Sequence, residues 1–176
     1  MKNLYSNIYS FNIRVLKKTI KYLNQGNLAA IPTETVYGLA GNAYSRKAVK
    51  NIFKIKKRPK KNPLIVHYHN ISDAKKDVVF NKNFFKLYKK FCPGPLTFIL
   101  KKNKKSKISS FATSGLKTVA IRFPKHRIIR SVLKSIKFPL AMPSANLSSS
   151  LSPVNALDVF EELKKKIKII IDGGSA

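Results

Sequence analysis

Short apolar runs recur along this chain, each closed by proline, glycine or a polar turn, and between them lie stretches of helical periodicity. Residues 28–31, 64–66, 96–100, 118–123, 138–142 and 167–171 are too short for helices and read as buried strands. Residues 12–24, 45–57, 71–77, 83–91, 128–136 and 154–166 read as helices. In the first of these, Ile13, Leu16, Ile20 and Leu23 share one face, lysines fill the other, and Gly26 supplies a stop just beyond. Strands alternating with amphipathic helices predict an α/β sheet with helices packed against it. At 176 residues the chain builds one good core, so the expectation is a single domain.

The formal net charge is +29, with 36 cationic residues against seven acids. A balance this extreme points toward nucleic acid or another polyanion. A second explanation stands beside it: only six of the cations are arginine, and lysine, asparagine and isoleucine are all abundant, as in a proteome-wide drift. Cys92 is the only cysteine, so no internal disulfide forms, and a reducing compartment is expected. No signal-like or bilayer-spanning apolar run is present, which leads to the expectation of a soluble cytoplasmic protein.

The cations are densest in K-I-K-K-R-P-K-K-N-P-L-I-V-H, residues 54–67. Pro59 and Pro63 end a helix and fix the loop, and the following apolar run delivers His67 at its far end. Arg58 offers a planar fork to phosphate or carboxylate, whereas Lys56 acts as a point charge. The bland reading, a solvated lysine loop, competes with a polyanion site. T-E-T-V-Y-G-L, residues 33–39, follows the first strand as a candidate ligand-binding loop carrying Thr33, Glu34, Thr35 and Tyr37; its alternative is a capped turn with Tyr37 in the core. Residues 101–110 are basic and expected to form a mobile loop. Arg122 sits in an apolar strand, where it must be paired or face an anion; with so few acids, a cleft or anion is the expected partner. No His, Cys, Asp or Glu cluster has metal-ligand spacing, so no protein metal site is expected.

Six stretches in order, P-T-E-T-V-Y-G-L, K-x-R-P-x-x-N-P-L-I-V-H, P-G-P-L-T-F-I-L, V-A-I-R-F-P, P-S-A-N and I-I-D-G-G, resemble the YrdC-type threonylcarbamoyl-adenylate synthases from about Leu28 to Gly174. The resemblance implies a twisted, open mixed α/β sheet with flanking helices and a large basic cleft. It implies an enzyme, a nucleotidyltransferase making threonylcarbamoyl-AMP and pyrophosphate from L-threonine, bicarbonate and ATP with Mg2+, without a tightly bound cofactor. The product would go to a transferase complex that modifies the adenosine beside a tRNA anticodon.

By the same resemblance, Lys56 and Arg58 are the catalytic phosphate-holding pair, with Asn62, Lys117, Ser144 and Asn146 also at ATP. Thr35, His67 and Arg122 surround threonine, and Thr33, Tyr37 and Thr113 are further candidates. Family members continue past Asp-Gly-Gly into a strand with a Ser-Thr pair, and many carry another domain. The expectation is a single domain over 1–176 that lacks both. Two alternatives remain: a non-catalytic tRNA- or rRNA-binding module that contacts RNA through the cleft, and carbamoyl-adenylate chemistry on another acceptor.

Overall fold

The computed structural model describes residues 6–176. Along the chain run β1 (Ile8–Ser10), α1 (Ile13–Asn24), β2 (Ala29–Pro32), β3 (Tyr37–Asn42), α2 (Arg46–Lys56), β4 (Ile65–His67), α3 (Ile71–Ala74) and β5 (Val78–Val79). Then come α4 (Lys82–Phe91), β6 (Thr97–Lys102), β7 (Thr118–Arg122), α5 (Arg127–Ser135), β8 (Leu140–Ala141), α6 (Ala156–Leu163), a 3-10 turn (Lys164–Lys166) and β9 (Ile170–Asp172). The nine strands form one mixed sheet in the order β1-β9-β2-β3-β8-β4-β7-β6-β5. The pairs β1·β9, β9·β2 and β4·β7 are parallel and the others antiparallel.

Asparagine and serine set most helix starts. The side chains of Asn12, Ser45, Asn70, Asn81 and Asn155 each accept an N–H from the first turn. Each cap is worth about 1 kcal/mol against alanine. The asparagine-rich composition therefore has a structural use.

Successive strand residues point to opposite faces. Ala29 and Ile31 of β2 pack with α1 and α5, where Leu23, Ile128 and Val132 are buried; Ala30 belongs to the core on the other face with Ile52 of α2 and Val66 of β4. That second core continues into an aromatic cluster in which Phe84, Phe98, Tyr88 and Phe123 meet edge-on or tilted.

Four expectations need correction. Residues 33–39 are not all loop: Tyr37 already pairs with Pro32, so only a tight turn separates β2 from β3. The helix expected over 71–77 stops at Ala74, because the chain turns to bring Asp77 inward and start β5. The helix expected to 166 stops at Leu163, so its lysines lie in the 3-10 turn.

Finally, 103–110 is tied down rather than free. The buried Asp77 carboxylate accepts hydrogen bonds from Ser106 Oγ (2.8 Å) and the Lys107 N–H (3.2 Å), and from the hydroxyls of Tyr44 (2.6 Å) and Tyr68 (2.9 Å). The edge strand β1 was not anticipated; three residues give too little alternation to detect.

Candidate active site

Three strands place the site. On β6 and β7, Phe98, Leu100, Val119 and Ile121 are buried in the core, so Thr97, Ile99, Lys101, Thr118, Ala120 and Arg122 lie on the other face. Strand register aligns them in rows across the sheet. Thr97, Arg122 and His67 form one row, Ile99, Ala120 and Ile65 the next, and Lys101 with Thr118 the third. Ile99, in the middle row, is 74% exposed, so this part of the sheet is an open floor. At about 3.3–3.4 Å per residue, the outer rows lie roughly 13 Å apart.

The first end of the floor is built around Arg122. Its guanidinium donates from Nη2 to Glu34 Oε1 at 2.7 Å and to Thr35 Oγ1 at 3.2 Å. The less favoured alternative, pairing with an acid, is thus the one found, since the turn after β2 brings one of the seven acids back over the sheet. Glu34 also accepts the backbone N–H groups of Lys125 and His126, fastening the turn to the start of α5. Burial would raise the Glu34 carboxyl; the Arg122 guanidinium and these backbone donors outweigh it and hold the carboxyl below its ordinary range.

Thr33 forms this turn. Its hydroxyl accepts from the N–H groups of Thr35 and Val36 and donates to the Val36 carbonyl, and it lies 3.1 Å from Thr35 Oγ1. His67 is 2% exposed, and burial followed by the nearby Arg122 charge pushes its pKa down to about 3, so the ring is neutral at ordinary pH. Its Nδ1 and Arg122 Nε are buried without a hydrogen-bond partner. Such orphaned groups cost free energy unless something polar meets them.

The second end is built around Lys56. Strand β8 runs antiparallel to β4, so the Ser144–Asn146 segment following it arrives at the end of the floor where the basic loop enters β4. Lys56, only 1% exposed, donates to the Ser144 carbonyl (2.7 Å), the Asn146 carbonyl (2.5 Å) and Asn146 Oδ1 (3.3 Å). These use all three ammonium donors. Lys56 therefore clamps the P-S-A-N segment. Burial, with help from the Arg58 charge, lowers its pKa to about 8.

Arg58 anchors one edge of its fork on the carbonyls of Asn62 and Pro63, both at 3.1 Å. Asn146 Nδ2 donates to the Ser150 carbonyl. Asn62 and Lys117 are exposed beside this end, the latter just before β7.

Two sequence candidates have side chains occupied by the fold. Tyr37 is fully buried, its hydroxyl donating to the Gly174 carbonyl and accepting from the Gly173 N–H. A Cβ on Gly173 would stand 2.8 Å from Pro32 Cγ, so this clasp requires glycine. Thr113 is buried and donates to the Ser110 carbonyl. Sequence reasoning placed Glu34 in the loop without giving it a role, and it passed over the floor positions Thr97 and Ile99. Alternation within 97–101 was the available signal for the floor.

Among the described residues no group of three or more His, Cys, Asp or Glu is placed to hold a metal ion. The Sua5/yciO/yrdC family model, described as telomere recombination, matches residues 21–176. The chain belongs to this family.

Its relatives include the threonylcarbamoyl-AMP synthases of Pyrococcus abyssi, 40% identical over 98% of this chain and 49% of theirs, and of Bacillus subtilis, 44% identical over 86% and 44%. The crystal structure of P. abyssi Sua5 complexed with L-threonine matches with a TM-score of 0.90 at 38% identity, covering 96% of this chain and 50% of that one. This family member therefore spans about half the length of those relatives.

Proposed function

We propose that this chain is the synthase module that joins L-threonine, bicarbonate and ATP into threonylcarbamoyl-AMP with release of pyrophosphate. One observation carries the reading: a single open sheet face has Arg122, Thr35 and His67 at one end, and Lys56, Arg58 and the Ser144–Asn146 segment at the other, residue types that suit a carboxylate and a polyphosphate respectively. Arg122, Thr35 and the neutral His67 offer donors for threonine's carboxylate and hydroxyl. The free edge of Arg58, the exposed Asn62 and Lys117, and the clamped Ser144 and Asn146 suit a triphosphate carried as its Mg2+ complex. The roughly 13 Å between the outer rows accommodates an amino acid joined to a nucleotide. The relatives named threonylcarbamoyl-AMP synthase support the same reading.

In this mechanism threonine's amine adds to carbon dioxide formed from bicarbonate with loss of water, giving a carbamate. A carbamate oxygen attacks the α-phosphorus, and the bond from that phosphorus to the pyrophosphate oxygen breaks. Two anions must be brought together, and proximity supplies much of the rate. The Arg58 and Lys56 charges stabilise the negative charge that develops on the leaving pyrophosphate. No covalent nucleophile is needed. Lys56 acts mainly by fixing Ser144 and Asn146, and its long 3.3 Å contact to Asn146 Oδ1 is the one a phosphate oxygen would displace. The product then serves a transferase complex acting on the adenosine beside a tRNA anticodon.

The test is incorporation of labelled bicarbonate. With ATP and threonine, the purified chain should form a labelled adenylate of the mass of threonylcarbamoyl-AMP. Label recovered only in unchanged bicarbonate, with threonine and ATP both bound, would contradict the reading.

A further inference from the structure

The middle of the floor differs in kind from its ends. Ile99, Ala120 and Ile65 make up this row, and their side chains carry neither a hydrogen-bond donor nor an acceptor. The row on one side holds Thr97, Arg122 and His67, and the row on the other holds Lys101 and Thr118. A single exposed isoleucine is ordinary on a protein surface. Ile99 is set apart by its place: it stands 74% exposed between two polar rows, with Ala120 and Ile65 half-buried beside it. Each polar row lies roughly 7 Å away along the strands.

The proposed reaction forms its new bond over this row. Threonine held by its carboxylate at Arg122 carries its carbamate carbon three bonds farther on, at most about 4 Å. The α-phosphorus approaches from the opposite end. In the synthase reaction a carbamate oxygen bonds to that phosphorus as the bond to the pyrophosphate oxygen breaks. Water is the competing nucleophile: its oxygen bonds to the phosphorus instead, its proton passes to the medium, and AMP leaves with pyrophosphate. A nucleophile reacts fast when it is held in line. The carbamate is held through threonine, whereas the middle row gives a water nothing to hydrogen-bond.

We propose that Ile99 sets the choice of nucleophile, favouring carbamate over water at the α-phosphorus. The inference rests on the synthase reading and deepens it by naming the residue that couples ATP cleavage to carbamate transfer.

The experiment compares the whole chain with Ile99→Thr and Ile99→Val, two variants of nearly equal shape that differ by a hydroxyl. Both are branched residues suited to an exposed strand position, so the fold is kept. Val79→Thr is the positional control: Val79 lies opposite Lys101 on β5, 50% exposed on the same face but outside the middle row. Two rates are measured for each protein. One is pyrophosphate release with MgATP, L-threonine and bicarbonate, with threonylcarbamoyl-AMP identified by mass. The other is AMP formation in heavy-oxygen water with bicarbonate and dissolved carbon dioxide removed, so that no carbamate forms and attack by water leaves its oxygen on the AMP phosphate.

Ile99→Thr should raise the ratio of the second rate to the first about tenfold, while Ile99→Val and Val79→Thr should stay within about twofold of the parent. A ratio unmoved by Ile99→Thr, in a chain that still makes threonylcarbamoyl-AMP, would overturn this inference alone. An equal rise in Ile99→Val would overturn it in favour of side-chain volume, and an equal rise in Val79→Thr in favour of a general effect of hydroxyls on the floor. A parent chain that forms no threonylcarbamoyl-AMP would remove the synthase reading, and this inference with it.

Discussion

At the residue scale, the two ends of the floor differ in how they respond to pH. Lys56 titrates near 8, so its ammonium is charged below that value and becomes a neutral amine above it. Affinity for MgATP, measured by calorimetry, should therefore be highest below pH 8 and fall as pH rises through it; affinity unchanged up to pH 9.5 would remove Lys56 from the phosphate site.

His67 has the opposite relevance. Its folded pKa is far below the unfolded value near 6.5, so the unfolded state binds the extra proton, and the stability held above pH 6.5 is lost as pH falls. By pH 5 this one residue removes about 2 kcal/mol. His67→Asn should lose visibly less thermal stability than the parent between pH 7 and pH 5; identical losses would contradict a neutral, buried His67. For Arg122, removing its carboxylate partner leaves a nearly buried guanidinium unpaired and two backbone N–H groups without an acceptor. Glu34→Ala should cost about 3 kcal/mol in urea unfolding. A cost below about 1 kcal/mol would mean water solvates that end freely.

At the element scale, the segment between β6 and β7 owes its position to Asp77. Asp77→Ala leaves two tyrosine hydroxyls, the Ser106 hydroxyl and a backbone N–H without their acceptor. At about 1–3 kcal/mol for each buried unsatisfied group, and with Ser106 and Lys107 able to reach water, a total of about 3–5 kcal/mol is expected. Hydrogen exchange should accelerate over 103–110 while α1 and α5 stay protected. Acceleration spread evenly over the chain would show that Asp77 supports the whole core rather than this segment.

These elements also mark what a sequence can reveal. The helices were legible because their apolar stripes and asparagine or serine caps are local signals. The helix end at Ala74 was not, because it depends on the burial of Asp77, which partners from 9 to 33 residues away decide. The lysine-rich run at 101–110 read as a mobile surface for the same reason.

At the scale of the whole molecule, the sheet turns motifs scattered over more than a hundred residues into two ends of one surface. Residue types at both ends were legible through the six motifs. Their arrangement was not, because it depends on strand order. Only the crossing of β8 between β3 and β4 brings Ser144 and Asn146 to Lys56, and only the β2–β3 turn brings Glu34 to Arg122. Ranking an acid partner for Arg122 below a cleft or an anion failed for this reason: scarcity of acids in the composition says nothing about where the few acids fold.

The central claim is that both ends of the floor act together in one reaction. Pyrophosphate release by the purified chain, supplied with MgATP, L-threonine and bicarbonate, tests it most directly when each co-substrate is omitted in turn. The account predicts release that requires both threonine and bicarbonate and drops at least a hundredfold in Arg58→Ala, a loss of about 2.7 kcal/mol in transition-state stabilisation. Release that proceeds without threonine or without bicarbonate, or that survives Arg58→Ala, would contradict it.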